Sequence, residues 1–256
     1  MEQIYSLQYD GWFLTHFNST MYLSPFFTEQ AGALTVAPDQ ASRFAKEMAD
    51  DFNPLHNPES KRFCVPGDLL FALSLAKLGL AQSMRFNYTG MVGKDTPLVF
   101  PNRMAQQMVI KDQNDKIYLE IEQAGAISQD MALIEAFTKA YVAFSGHSFP
   151  HLLVPLMEQN NVMINPEKPM VIYDSMLVEF SDLNAQHPTL KLTETSLVMN
   201  GKRGKVKIAF DTYEGERKIG HGYKTMVLSG LRDYDQDAID DLVTQYENAK
   251  KTYFDQ

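Results

Sequence analysis

The stretch that decides the fold is residues 68–80, which read DLLFALSLAKLGL. On a helix, its apolar side chains would occupy nearly every face, and this pattern is typical of a helix buried on most sides. Pro66 and Gly67 come directly before it and mark an abrupt entry. Asp68 stands near the start, where a carboxylate interacts favourably with the amide end of a helix. The sequence therefore predicts a helix that needs cover from all sides.

The residues after this helix predict antiparallel strands. Residues 104–111 lead to a turn signal at 113–115, and residues 116–122 then alternate apolar with polar side chains. Another turn signal at 128–130 precedes a further strand, predicted over residues 132–144. A buried helix followed by a strand meander predicts a sheet wrapped around that helix. This arrangement is the hot-dog architecture, an α+β fold.

The second half of the chain repeats the meander. Its predicted strands cover residues 176–180, 190–199, 205–211 and 218–228. An Asn-Gly pair at residues 200–201 is a strong tight-turn signal between two of them. Only a short helix, over residues 152–157, is predicted before these strands, and an amphipathic helix over about 235–253 follows them. The sequence therefore predicts a double hot dog whose second half is helix-poor.

Size, charge and cysteine content restrict the function. The 256 residues exceed a usual single domain, and the predicted halves are residues 1–150 and 151–256. The net charge of −9, from 23 basic and 32 acidic residues, argues against a nucleic-acid binder. The single cysteine, Cys64, excludes an intrachain disulfide and fits a reducing compartment. Because the sequence also lacks the patterns of a signal peptide and of a membrane span, we expect a cytoplasmic protein.

A polar loop before the buried helix carries the candidate site. A helix predicted over about 38–50 runs into this loop, in which residues 51–56 read DFNPLH. The segment resembles the (R)-specific enoyl-CoA hydratases of the MaoC-like family, whose motif runs Gly-Asp-x-Asn-Pro-Leu/Ile-His after a short helix. The aspartate, asparagine, proline and histidine match at the family's spacing. The resemblance covers the organisation of residues 35–145 and is specific over residues 44–56.

The resemblance implies a reaction and a role for each matching residue. In that family the aspartate and the histidine jointly activate one water, which adds across the double bond of a trans-2-enoyl thioester, and the reverse reaction dehydrates. Asp51 and His56 are thereby implied as the catalytic pair, with Asn53 and Pro54 shaping the loop at the substrate. These residue types suit the chemistry. An imidazole exchanges protons near neutrality, and a carboxylate can accept a proton, orient water or stabilise an imidazolium.

The start of the buried helix is the second part of the implied site. A developing thioester oxyanion needs fixed donors, which the exposed amides of a helix start provide. In the family this role falls to the start of the central helix, which implies Gly67 and Asp68 as substrate-binding residues here. Three residues depart from the family's pattern. Asp50 replaces a glycine, Pro66 replaces a histidine, and Asp68 adds negative charge where an oxyanion should be stabilised.

The expected function is hydration or dehydration of an acyl thioester carried by coenzyme A or acyl carrier protein, with no metal or redox cofactor. A non-catalytic acyl-thioester-binding or scaffold protein is one alternative, and a thioesterase is another, because one fold hosts several functions. We expect neither a nucleic-acid nor a membrane partner. The second half can cover the sheet edge that a single hot dog pairs across a dimer, so both a pseudo-dimeric monomer and a homodimer fit.

Other motifs in the sequence are weaker indications of a functional site than the loop at residues 51–56. His147 and His151 are four residues apart, but Pro150 between them argues against a helical metal site. Residues 182–187, DLNAQH, keep the Asp-to-His spacing of the motif but lack its proline. They are predicted to be a turn between strands, so the second half should have no site of its own. Cys64 is interpreted as a small buried hydrophobe.

Overall fold

The structure is a computed structural model that describes residues 21–255. The helices are α1 (Pro38–Arg43, continued by a π-helical turn at Phe44–Met48), α2 (Gly67–Leu78), α3 (Met131–Gly146), α4 (Leu153–Gln159) and α5 (Gln236–Phe254). Short 3₁₀ turns cover Met21–Phe26 and Pro54–His56. The strands are β1 (Thr28–Gln30), β2 (Ala33–Thr35), β3 (Leu80–Tyr88), β4 (Leu98–Val99), β5 (Gln107–Asp112), β6 (Ile117–Ser128), β7 (Val162–Met163), β8 (Val171–Phe180), β9 (Pro188–Asn200), β10 (Arg203–Glu214), β11 (Arg217–Ser229) and β12 (Arg232–Asp233).

Ten of these strands form one antiparallel sheet in the order β1-β2-β4-β5-β6-β3-β8-β11-β10-β9. The sheet contains the same unit twice. In each unit a long helix (α2 or α3) precedes four strands, and the strand order outward from the centre is first, fourth, third, second. The units join where β3 pairs with β8, with Arg85 opposite Leu177. The double hot-dog, α+β fold predicted from the sequence is confirmed.

Helix α2 is enclosed as the sequence predicted. Leu70 and Leu78 are 2% exposed and Leu73 is fully buried, so each leucine contributes about 1.5–3 kcal/mol by leaving water. Phe71 packs edge-on against Phe86 of β3, with ring centroids 5.2 Å apart. The helix is therefore enclosed in the core, and this packing fixes the position of its first turn relative to the sheet.

The prediction of a strand over residues 132–144 is wrong, because these residues form the middle of α3. Asp130 caps this helix by accepting a hydrogen bond from the Ala132 amide at 2.9 Å. Its buried side chains recur at helical spacing, and α3 packs against β9 and α2. Residues 151–256 hold only the short α4 ahead of their strands, as the prediction of a helix-poor second half has it; the long helix that precedes these strands, α3, lies just before residue 150. The division of the chain at that residue stays a prediction.

Most other predicted elements are present with small changes in their ends. The helix predicted over 235–253 is α5, and residues 182–187 lie in the connection from β8 to β9, as predicted; that the second half has no site of its own stays a prediction. Helix α3 ends at Gly146, so His147 and His151 do not share a helix. Within residues 21–255, no helix is long and apolar enough to cross a membrane.

Candidate active site

A cavity of about 450 Å³ lies where the two units meet. The candidate site residues all line it: Asp51, Asn53, Pro54, His56, Gly67 and Asp68. The second unit contributes Ser145, Tyr173 and Lys224 to the wall, and α5 contributes Leu242 and Tyr246. The structure therefore brings the predicted residues together, and it adds residues that the sequence analysis did not identify.

Two local turns shape the loop between α1 and α2. The Asn53 amide donates to Asp51 Oδ1 at 2.9 Å, and the Leu55 amide donates to Asn53 Oδ1 at 3.1 Å. Such side-chain-to-backbone bonds are typical of aspartate and asparagine in turns. Pro54 begins the 3₁₀ turn that follows, where its missing amide hydrogen costs nothing. These bonds fix one oxygen of Asp51 and leave Oδ2 to face the histidine.

The carboxylate of Asp51 and the ring of His56 converge on each other. Asp51 Oδ2 lies 3.7 Å from His56 Nε2, which is too far for a direct hydrogen bond. The other ring nitrogen, Nδ1, lies 2.8 Å from the Cys64 carbonyl oxygen and must carry a hydrogen to bond with it. In the neutral imidazole, Nε2 therefore keeps its lone pair. One water placed between the two groups could donate a hydrogen bond to each of them.

Asp50 adopts a left-handed backbone conformation with φ of 54°. Glycine is the usual residue for this region, which gives a physical reason for the glycine that the MaoC-like motif has at this position. The Asp50 carboxylate forms an ion pair with Lys250 of α5. Its charge is therefore directed to α5 and balanced there.

Helix α5 also holds the backbone on both sides of Asp51. The Tyr246 hydroxyl donates to the Asp50 carbonyl at 3.1 Å and accepts from the Phe52 amide at 3.2 Å. The Phe52 ring packs edge-on against Tyr246, with centroids 5.9 Å apart. The sequence predicts α5 only as an amphipathic helix, because contacts between residues almost 200 positions apart leave no local pattern.

Gly67 begins α2 where the helix approaches the second unit. A Cβ at this position would lie 2.5 Å from Cδ2 of Tyr173, so only glycine fits. The Tyr88 hydroxyl donates to the Gly67 carbonyl at 3.2 Å. The first amides to bond within the helix are those of Leu69 and Leu70, both to the Pro66 carbonyl, so the amides of Gly67 and Asp68 have no acceptor within it.

Asp68 is turned away from the start of α2 and does not cap it. Its Oδ1 accepts from the Tyr173 hydroxyl at 2.6 Å, and its Oδ2 accepts from Ser145 Oγ at 2.7 Å. Burial raises the pKa of Asp68, while Lys224 and the two hydroxyl donors oppose the rise. The carboxylate is thus bound by the second unit, so the structure gives it a partner other than the substrate.

Lys224 of β11 is a buried cation in the cavity wall. Its Nζ donates to the Ser145 carbonyl at 2.9 Å, to Ser145 Oγ at 2.9 Å and to Ser148 Oγ at 2.7 Å. Burial lowers the pKa of Lys224 to about 8, against the opposite influence of Asp68. The sequence carried a signal for this residue: Lys224 falls at a buried position of an alternating strand, in phase with Met226.

Cys64 is buried beside the histidine, as interpreted from the sequence. Burial, reinforced by the charge of Asp51, raises the pKa of its thiol to about 12. The thiol is therefore unreactive at neutral pH. Its backbone carbonyl, by orienting His56, is the part of the residue that matters to the site.

Comparison with known proteins gives low identities. The chain is similar in structure to acyl-CoA thioesterase II TesB2 from Mycobacterium marinum (8% identity, TM-score 0.40, 84% of this chain and 99% of that one). It is also similar to a hot-dog protein of unknown function from Alicyclobacillus acidocaldarius (9% identity, TM-score 0.43, 82% of this chain and 98% of that one). A third similar structure is a MaoC-like dehydratase (10% identity, TM-score 0.37, 80% of this chain and 98% of that one). Similarity at this level carries no argument about a reaction. No curated protein matches the chain. A family model does match, over residues 21–237, and the chain belongs to that family, described as "Protein of unknown function (DUF3581)".

Proposed function

We propose that the protein adds water to a trans-2-enoyl thioester, or removes it from the (R)-3-hydroxyacyl thioester, with coenzyme A or acyl carrier protein as the carrier. The observation that carries the proposal is the convergence of Asp51 Oδ2 and His56 Nε2, 3.7 Å apart, on the cavity between the two units. The bond from His56 Nδ1 to the Cys64 carbonyl supports it, because it leaves Nε2 free to accept a proton.

In the hydration direction, a water donates hydrogen bonds to His56 Nε2 and Asp51 Oδ2. Its oxygen attacks C3 of the enoyl group, and one of its protons passes to the pair. The electrons of the C2–C3 double bond move towards the thioester oxygen, and the pair then delivers the proton to C2. The sum is one water added across one double bond. Proton transfer of this kind typically contributes about 10²–10⁴-fold in rate.

The negative charge on the thioester oxygen is the second requirement. We place this oxygen at the start of α2, where Gly67 and Asp68 line the cavity and their amides have no acceptor within the helix. Fixed backbone donors cost no reorganisation when the charge develops. The Asp68 carboxylate lines the same cavity, but each of its oxygens already accepts a hydrogen bond, one from Tyr173 and one from Ser145.

The position of Asp51 favours a catalytic site over a binding remnant. In a remnant, this carboxylate would point elsewhere or be locked by a salt bridge to a basic residue. Lys250 of α5 pairs with the neighbouring Asp50 instead. Asp51 Oδ2 remains directed at His56.

The reaction class is tested with crotonyl, octenoyl and longer enoyl thioesters of coenzyme A. The proposal expects loss of the conjugated double bond, measured by absorbance, without release of free thiol. A saturated acyl thioester serves as the control substrate. Release of free thiol from the saturated substrate would indicate a thioesterase, and binding without any change in either substrate would indicate a binding protein.

A further inference from the structure

The cavity wall holds an unusual set of charges for a site that is expected to stabilise an oxyanion. Two carboxylates, Asp51 and Asp68, line it together with the cation Lys224. A negative charge that develops near two carboxylates is disfavoured by repulsion unless a positive charge balances it. Among the described residues that line the cavity, Lys224 is the one lysine or arginine.

Lys224 has no hydrogen left to donate to a substrate. An ammonium has three hydrogens, and Lys224 uses them on the carbonyl and hydroxyl of Ser145 and on the hydroxyl of Ser148. Ser145 Oγ, which accepts from Lys224, donates in turn to Asp68 Oδ2. Tyr173 closes the cluster by donating to Asp68 Oδ1, and its ring centroid lies 5.4 Å from Lys224 Nζ. The lysine therefore acts on Asp68 through Ser145.

We infer that Lys224 is a positioning residue for the proposed reaction. Acting through Ser145, it holds the Asp68 carboxylate against the second unit and balances its charge, so that the cavity can accept negative charge on the thioester oxygen. The inference rests on the proposed function. It also explains how the site accommodates Asp68, the acidic residue at the start of α2 that departs from the pattern of the MaoC-like hydratases.

The surroundings of Lys224 bring its pKa to a value just above neutral pH, so its ammonium group loses its proton there. Asp68 of α2 and Asp51 of the loop favour its charged form, while burial disfavours it and brings its pKa to about 8. Tyr173 of β8, Tyr141 of α3 and Tyr88 of β3 have pKa values raised by burial, so they stay neutral in this range. Above about pH 8, Lys224 loses its charge and Asp68 is no longer balanced. The inference therefore predicts that kcat falls as pH rises through about 8.

The test compares the wild type with Lys224→Met, Asp68→Asn and the variant that carries both changes, using octenoyl-coenzyme A. Lys224→Met should lower kcat at pH 7 by about tenfold or more, with KM changed less than about twofold, because the unbalanced carboxylate opposes the transition state. Adding Asp68→Asn should restore kcat to within about fivefold of the wild type, since removing both members of a buried charge pair is often close to neutral. A purely structural role would not produce this recovery in kcat per folded molecule.

The pH profile supplies a second readout, which does not require the single variant Lys224→Met to fold. The wild type should lose kcat above about pH 8, and the double variant should not. Equal kcat in wild type and Lys224→Met, or the same fall near pH 8 in the double variant, overturns the inference while the proposed function stands. A wild type that hydrates no enoyl thioester overturns the proposed function, and the inference with it.

Discussion

Tyr246→Phe tests whether α5 fixes the loop that carries Asp51. The change removes one hydroxyl and leaves the aromatic packing on Phe52 in place. That hydroxyl bonds to the Asp50 carbonyl at 3.1 Å and to the Phe52 amide at 3.2 Å, so both peptide groups beside Asp51 lose a partner. The residue is 9% exposed, so water replaces the lost partners poorly.

The expected loss of stability follows from these two bonds. Each contributes about 0.5–1.5 kcal/mol, and the Phe52 amide left without an acceptor adds a desolvation cost, giving about 2–3 kcal/mol in total. Urea denaturation measures this loss, and hydrogen exchange should show faster exchange of the Phe52 amide. If the loop shifts by about 1 Å, turnover should also fall, by up to about 100-fold.

Tyr253→Phe is the matched control on the same helix. It also removes one tyrosine hydroxyl, but that group bonds to the exposed Glu47 side chain at 2.9 Å. Its stability should change by less than about 0.5 kcal/mol, as is usual for surface positions. Equal effects of the two changes, or unchanged exchange at Phe52 in Tyr246→Phe, would refute the role assigned to α5.

Two further predictions concern single positions near the pair. In urea denaturation, Asp50→Gly should be more stable than Asp50→Ala by about 1–2 kcal/mol. Both variants lose the ion pair with Lys250, but only alanine is strained at φ of 54°. Equal stabilities of the two variants would show that this backbone strain is absent. Cys64, whose thiol pKa is raised to about 12 by burial, should resist iodoacetamide at pH 8 in the folded protein and react in denaturant. Rapid labelling of the folded protein would contradict the burial.

The parts of the fold that could be predicted have strong local patterns. Helix α2 is apolar on all faces and has a defined start at Gly67, so its burial followed directly. Helix α3 was misassigned because its apolar residues are dense enough to read as a buried strand, and periodicity alone does not separate the two. The length of the run, 16 residues, and the capping aspartate Asp130 were the signals that favour a helix.

The candidate site also has a part that the sequence predicts and a part that only the fold brings in. Asp51, Asn53 and His56 lie within six residues, so one motif predicts the loop that carries them. Lys224 and Tyr246 come from the second unit and from α5, and the fold alone brings them to the cavity. Lys224 falls in phase with apolar residues of β11, but its partner Ser145 lies at the end of α3, and the prediction of a strand there gives no reason to bring the two together.

The proposed water activation is tested most directly by a double-mutant cycle on Asp51 and His56 with octenoyl-coenzyme A. If both groups hold one water, Asp51→Asn and His56→Ala should each lower kcat by about 10²-fold or more. The double variant should fall little further, because residues that act as a unit are not additive. Thioester binding should survive in all three variants. A wild type that binds enoyl thioesters of several chain lengths yet hydrates none of them would contradict the account, as would single effects that multiply in the double variant.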